Sequence, residues 1–255
     1  KHSRIAIFDV ADDCSKLDSY QLYLDLMQAV RQKQLEVHFQ PIVNRQGGLL
    51  AVEALARWNH PERGAVPPEE FLDLAEHHRQ LGVIWQAILE RSLQDFAALR
   101  KQLPTLHLAL NLSPSQLSDQ QLIPQLQEAL RKCEIPPELL TIEITERAIL
   151  EASALVRHNL KSLRNLGIRI ALDDCGTGHS SLTLLSELRP DELKIDRSFV
   201  AAMEHDPYAH HIVQVIANLA HSLGIDLVAE GVEDESTWST LEHLGVGRFQ
   251  GYLVS

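Results

Sequence analysis

The sequence predicts an α/β protein built as a closed (β/α)8 barrel, and three observations carry that prediction. From Leu35 onward, short runs with two-residue alternation trade places with longer runs at helical spacing. Roughly eight such strands fall within about 220 residues, the size of one barrel. In most of them the polar residues sit towards the C-terminal end, on the face opposite the aliphatic ones. With 255 residues, 45% of them hydrophobic, the chain can bury a sizeable core; two small domains would also fit the length.

Taken in order, Lys1 to Val10 reads as a strand. Residues 1–17 are therefore expected to be the tail of a preceding domain, and the start at Lys1 suggests a segment of a longer protein. Residues 18–34 form a connecting helix: Leu22, Leu26 and Val30 recur at helical spacing, with Asp18 or Ser19 as cap. An ordinary first helix of the following domain fits the same pattern. Residues 35–255 make that domain. Val37–Val43 and Leu49–Arg57 flank a turn at Gln46-Gly47-Gly48 and are expected to pair as a hairpin. Pro67-Pro68 opens a helical region from Glu69 to Gln102, read as two helices. Strands then follow at Leu106–Leu112, Thr141–Glu146, Ile168 onward, Glu192–Asp196, Asp226–Val232 and Val246–Leu253. Helices alternate with them at Gln116–Cys133, Ala148–Leu166, Ser181–Leu188, Pro207–Leu223 and Glu235–Leu244, with Gly167 and Gly224 as stops.

Composition narrows the function. A formal net charge of −12 argues against a protein that coats a nucleic-acid polymer. The 3 cysteines, Cys14, Cys133 and Cys175, have no CxxC spacing, which disfavours a disulfide framework or a zinc-thiolate centre. No apolar run reaches the ~20 residues of a membrane span, and no signal peptide is visible. The expectation is a cytoplasmic segment without membrane contact, in a parent protein whose other regions leave a membrane anchor open.

Two-residue alternation puts Glu53, Asn111, Glu143 and Asp173 on one face of their strands, with Lys194 and Glu230 nearby and Asp174 beside Asp173. A solvated sheet face would alternate likewise, but helical crossovers leave a barrel no free watery face. Adjacent carboxylates repel unless a cation sits between them. The set is almost entirely hard oxygen, which selects magnesium or manganese, or calcium as a poorer catalytic substitute. Four carboxylates and an amide exceed what one magnesium takes from protein. Two ions sharing Asp173, about 3.5–4 Å apart, fit phosphodiester hydrolysis. Glu230 is the candidate general base, Lys194 the group that orients water or offsets charge, and Arg57 a phosphate contact. His77-His78 and His210-His211 lack matching ligand spacing. Ser113 and Ser180 read as helix caps, and Trp58, Trp85 and Trp238 as packing residues.

These residues lie in motifs that resemble those of EAL-domain cyclic di-GMP phosphodiesterases. Glu53-Ala54-Leu55-Ala56-Arg57 is similar to the family's ExLxR signature. FQPI at Phe39–Ile42, NLSP from Asn111, EITE from Glu143, DDCGTGHSS from Asp173, KIDRSFV from Lys194, AEGVE from Ala229 and QGY from Gln250 follow in order. The resemblance implies a modified (β/α)8 barrel with one antiparallel early strand. It implies hydrolysis of cyclic di-GMP to linear pGpG with magnesium or manganese, and inhibition by calcium. Metal ligands then fall on Glu53, Asn111, Glu143, Asp173 and Asp174, and the water-activating roles on Lys194 and Glu230. Glu146 resembles the glutamate that braces the loop after the aspartate pair, while Gln40, Leu55, Arg57 and Gln250 take substrate or site-lining places. A homodimer is expected, and the opening RIAIFDV resembles the end of a GGDEF domain, so the parent protein would be a GGDEF–EAL tandem.

The loop departs from the family's DDFGTGYSS: Cys175 and His179 replace its two aromatics, which bears on loop packing and dimer-linked activation. Gly247 stands where an aspartate often precedes QGY, and the spacing around Arg79–Trp85 differs from the usual helix entry. None of these removes a metal ligand. The alternative function is a receptor that binds cyclic di-GMP without cutting it; degenerate members usually lose a ligand, the lysine or the base, and all are present here.

Overall fold

The computed structural model describes residues 10–150, 153–176, 185–186 and 188–254. The chain forms two compact units. One takes Ala56–Ile88 with the residues up to Val37; the other takes His38–Leu55 with those from Leu89 onward.

The smaller unit begins with α1 (Val10–Arg31). It includes the first residues of β1 (Leu35–Asn44), the end of β2 (Leu49–His60), β3 (Gly64–Val66), α2 (Pro68–His77) and the start of α3 (Leu81–Arg100). The apolar spacing of α1 buries Leu22, Leu26 and Ala29 among Trp58, Phe71 and Ile84. Burying each of the two leucines contributes about 1.5–3 kcal/mol. Trp58 pairs antiparallel with Val66, so β3 extends the end of β2. Arg79 takes a left-handed φ of 56° between α2 and α3, which divides the expected helical region in two. The strand expected over Lys1–Val10 lies outside the described residues except for Val10, which is the first residue of α1.

The larger unit carries the barrel. β1 turns into β2 around Asn44, whose amide donates to Gly48 O at 2.9 Å while its side chain accepts from Gln46 and Gly48. The remaining strands are β4 (His107–Asn111), β5 (Leu140–Thr145), β6 (Arg169–Cys175), β7 (Glu192–Ile195), β8 (Asp226–Ala229) and β9 (Arg248–Phe249). The sheet order is β1-β9-β8-β7-β6-β5-β4-β2-β3, and β1 also pairs with β2, so eight strands close a ring. From β2 through β4 to β9 the ring pairs are parallel, and β1 runs antiparallel to β9. This is the expected modified barrel with one reversed early strand. Leu108, Ile142, Ile170 and Ile195 occupy the buried aliphatic faces.

The helices of this unit are α4 (Pro114–Leu117), α5 (Leu122–Lys132), α6 (Glu146–Leu150), α7 (Ala154–Asn165), α8 (Arg197–Ala202), α9 (Pro207–Leu223) and α10 (Glu235–His243). Two predicted helices are broken. Gln116–Cys133 divides at Asp119, whose side chain accepts from Gln121 N and competes with helix hydrogen bonding. Ala148–Leu166 divides because Ser153 accepts from Val156 N and starts a new helix. β8 and β9 are shorter than predicted, since beyond Ala229 and Phe249 the chain leaves the ladder for the mouth of the barrel. β3 and α8 escaped the pattern because each is too short to show a period. Most of the helix expected at Ser181–Leu188 lies outside the described residues. Ser113 caps α4 as expected, in a reciprocal box with Gln116. Ser180 lies outside the described residues. Trp58 and Trp85 are buried, and Trp238 stacks on Phe249 at 3.9 Å between ring centres. Cys133 and Cys175 are free thiols. Among the described residues no helix is long and apolar enough to cross a membrane.

Candidate active site

Each parallel strand contributes one polar side chain to the same end of the ring. Strand register sets this: Asn111 lies beside Glu143, and Thr145 beside Asp173. Glu53 comes from β2, Lys194 from β7, Glu230 from the residue after β8 and Gln250 from the residue after β9. Between Leu172 and Cys175 the β6–β7 ladder is irregular, and Asp174 there adopts a left-handed φ of 57°. The irregularity re-aims the two aspartates away from simple alternation. Asp174 N donates to Asp173 Oδ1 at 3.0 Å, a turn that holds the second carboxyl next to the first.

Lys194 is the centre of the set. Its Nζ lies 2.6 Å from Glu230 Oε1, 2.9 Å from Glu143 Oε2, 3.2 Å from Glu53 Oε2 and 3.7 Å from Asp173 Oδ1. The lysine and Glu143 side chains are 1% and 0% exposed, whereas Asp173 and Glu230 keep 15% and 19%. The site is therefore sealed beneath and open above. Glu53 is held from three directions: Asn111 Nδ2 donates to Oε1 at 2.6 Å, and Lys194 Nζ and Gln250 Nε2 donate to Oε2. Gln250 Nε2 also reaches Gln40 Oε1 at 3.0 Å.

The electrostatics follow from burial without enough positive charge. Burial works against the Lys194 ammonium, but Glu143, Glu53, Asp173 and Glu230 outweigh it and hold its pKa well above the ordinary value. Burial, then the charge of Glu53, drives Glu143 well above the carboxylate range. Burial pushes Glu230 up to about 7, against the pull of Lys194. Asp174 is raised by burial and then by Asp173. Burial would raise Glu53 too, but Lys194 and the hydrogen bonds from Gln250 and Asn111 leave it below its usual value.

Does this set suit a metal ion? Among the described residues no group of three or more His, Cys, Asp or Glu side chains closes on one point as ligands would. The carboxylates lean on the lysine ammonium instead. Two features nevertheless fit a hard cation. Glu53, Glu143, Asp173, Asp174 and Glu230 bring five carboxyls to the surroundings of one ammonium. Glu143 Oε1 is buried without a hydrogen-bond partner, a costly state that a cation would relieve. Oxygen donors in this number suit magnesium or manganese chemistry.

The other predicted residues fall as follows. Glu146 is buried in the first turn of α6, but the loop it is expected to brace runs from Gly176 into residues outside those described. His179 also lies outside them. Leu55 is half-buried at the end of the larger unit's share of β2. Arg57 belongs to the smaller unit and donates to Ala56 O at 2.9 Å. In the sequence only the motif resemblance points to Gln40 and Gln250; in the structure Gln250 braces Glu53 and Gln40 holds Gln250. The available signal was a lone amide in each of two apolar runs, HFQPIV and RFQGYL.

The sequence profile of the EAL domain family matches residues 24–255. The chain belongs to the EAL domain family. Its EAL domain is 35% identical over 232 residues to the cyclic di-GMP phosphodiesterase RocR of Pseudomonas aeruginosa, covering 91% of this chain and 59% of RocR. It is 34% identical over 252 residues to the bifunctional diguanylate cyclase/cyclic di-GMP phosphodiesterase MucR of the same organism, covering 97% of this chain and 36% of MucR. Its fold is similar to that of the P. aeruginosa MucR phosphodiesterase in complex with cyclic di-GMP: TM-score 0.87, 36% identity, 92% of this chain and 96% of that one. The EAL enzyme Bd1971, bound to cAMP and cyclic di-GMP, superposes with a TM-score of 0.89 at 33% identity, covering 94% of this chain and 66% of that one. The chain spans only about a third to three fifths of RocR and MucR, 59% and 36% of their lengths. Phosphodiesterases of the EAL family depend on divalent metal ions.

Proposed function

We propose that this chain hydrolyses cyclic di-GMP to linear pGpG at the Lys194-centred carboxylate set. The observation that carries the proposal is one buried ammonium touching carboxylates from separate strands at the mouth of the barrel. The likeness to EAL proteins named as cyclic di-GMP phosphodiesterases supplies the substrate class.

Glu53, Asn111, Glu143, Asp173 and Asp174 would hold two magnesium or manganese ions, with calcium inhibiting. When bound, such ions lower the pKa of water and neutralise charge on the transferred phosphoryl group. The protein's own groups do the rest. Glu230, poised with a pKa of about 7, accepts a proton from the attacking water. Lys194 remains protonated and acts as a hydrogen-bond donor, orienting that water and offsetting charge on the phosphoryl oxygens. Water adds to phosphorus, the bond to the 3′ oxygen breaks and that oxygen takes up a proton, which opens the ring. Gln250 and Asn111 fix Glu53, so the ligand set changes little as the reaction proceeds. The resemblance to EAL phosphodiesterases gives the substrate contacts to Gln40, Leu55, Arg57 and Gln250.

The likeness to MucR, a bifunctional diguanylate cyclase/cyclic di-GMP phosphodiesterase, supports a tandem parent; our reading puts the cyclase-like domain ahead of residues 18–34 and this segment in the cytoplasm as a homodimer. Chromatography of purified protein with cyclic di-GMP and magnesium or manganese tests the activity. Linear dinucleotide is expected, and Glu53→Ala should abolish it while circular dichroism stays native. Tight nucleotide binding with no linear product under any of these metals would refute hydrolysis in favour of a receptor.

A further inference from the structure

α9 carries two apolar faces. Ala209, Val213, Ala217 and Ala220 are buried on the side that packs against β7 and β8. A second row, Tyr208, Ile212, Val215, Leu219 and Leu223, recurs at steps of four, three, four and four residues, so it forms one stripe down the helix. Tyr208, Val215 and Leu223 are 74%, 63% and 53% exposed, and Ile212 and Leu219 are half-buried. We propose that this stripe is the face through which two copies of the chain pair, with α9 antiparallel to α9 about a twofold axis beside Val215.

Single exposed apolar residues are ordinary, but a continuous stripe about 22 Å long marks an interaction surface. Charge decides the occupant. None of the 17 residues of α9 is Lys, Arg, Asp or Glu, in a chain whose formal net charge is −12. Two such chains repel each other over most of their surfaces, and an uncharged face is where they can meet without that repulsion. A basic partner would find no carboxylate on this helix, and an anionic membrane would find no Lys or Arg.

The stripe is also complementary to itself. Its midpoint falls between Val215 and Ile216, so antiparallel pairing sets Ile212 against Leu219 and Tyr208 against Leu223, each contact occurring twice. Leu219 and Leu223 border a cavity of about 690 Å3 whose apolar wall is completed by Leu185 and Ile225. The pairing therefore delivers Tyr208 of each copy to the cavity of the other. A tyrosine seated in a pocket is a common anchor of protein interfaces. The cavity lining holds two arginines and two aspartates, a balance that suits an uncharged phenol.

The proposal rests on the homodimer reading above and not on the hydrolysis. Sedimentation velocity of the full chain from about 1 to 200 µM tests it, a range set by an interface of modest area. A reversible monomer–dimer equilibrium is expected. Val215→Glu and Val215→Lys each put like charges beside the axis, so each should weaken the dimer at least tenfold while its melting temperature stays native. An equimolar mixture of the two should recover the dimer, because opposite charges then meet. Tyr208→Ser should weaken pairing about tenfold. A dimer that persists in both charged variants, or a mixture that fails to recover it, would overturn this interface and leave the homodimer standing. A chain that is monomeric throughout, or that instead binds phosphatidylcholine vesicles through α9, would overturn both.

Discussion

Replacing Lys194 with methionine keeps the length of the side chain and removes its charge. The native ammonium is 1% exposed and has carboxylate oxygens at 2.6, 2.9, 3.2 and 3.7 Å. Removing one partner from a buried ion cluster costs about 3–5 kcal/mol, because the remaining charges cannot reach water. That is a large part of a total stability of about 5–15 kcal/mol. The carboxyls have an escape, which is to protonate, and this makes the cost depend on pH. Glu143 and Glu230 have folded pKa values above the ordinary 4.5, with Glu230 at about 7. A carboxyl whose folded pKa is raised binds more protons in the native state, so stability is fully present below about pH 4.5 and is lost as pH rises through the folded value. Without Lys194 those values rise further. In metal-free buffer, Lys194→Met should therefore cost about 4 kcal/mol at pH 8 and at most about 2 at pH 5.5. Urea unfolding followed by circular dichroism reads this, with an unchanged slope as the control for two-state behaviour. A penalty that is the same at both pH values, or below about 1 kcal/mol at pH 8, would refute the view that this ammonium holds the carboxylates together.

Three shorter predictions accompany it. In the native protein without metal, stability should fall between pH 5 and 8 by up to about 3 kcal/mol, the cost of the Glu230 shift. Added magnesium should abolish the fall, as thermal melting at a series of pH values would show. Glu230→Gln should lower kcat by about 100-fold or more with little change in nucleotide affinity; equal losses in both would remove Glu230 as the base. A Cβ on Gly251 would lie 2.2 Å from Val232 O, which is backbone and cannot swing aside. Gly251→Ala should therefore cost about 2–3 kcal/mol and displace Gln250 from Glu53. Native melting and native turnover in that variant would contradict the packing.

Much of the site was legible because alternation is a local property. Glu143 opposes Ile142 and Ile144 whatever the strand pairs with, and the same holds for Asn111, Asp173 and Lys194. The polar residues could thus be assigned to the inner face before any pairing was known. Local rules failed where backbone geometry departs from regular strand or helix. Asp174 points as it does because of a ladder irregularity and a left-handed residue, and the divided helices at Asp119 and Ser153 depend on side-chain competition with the backbone.

Taken alone, the residues determined the alternation of strands and helices, the reversed hairpin strand and the chemical character of the mouth. Each of these follows from periodicities of two or 3.6 residues and from the donors a side chain carries. Only closure of the barrel decided which of these groups touch. It joined Lys194 to Glu53 across 141 residues and Gln250 to Gln40 across 210. The upward pKa shifts of Glu143 and Glu230 are likewise a tertiary property, because they depend on how completely the surrounding strands exclude water and on how few cations they enclose.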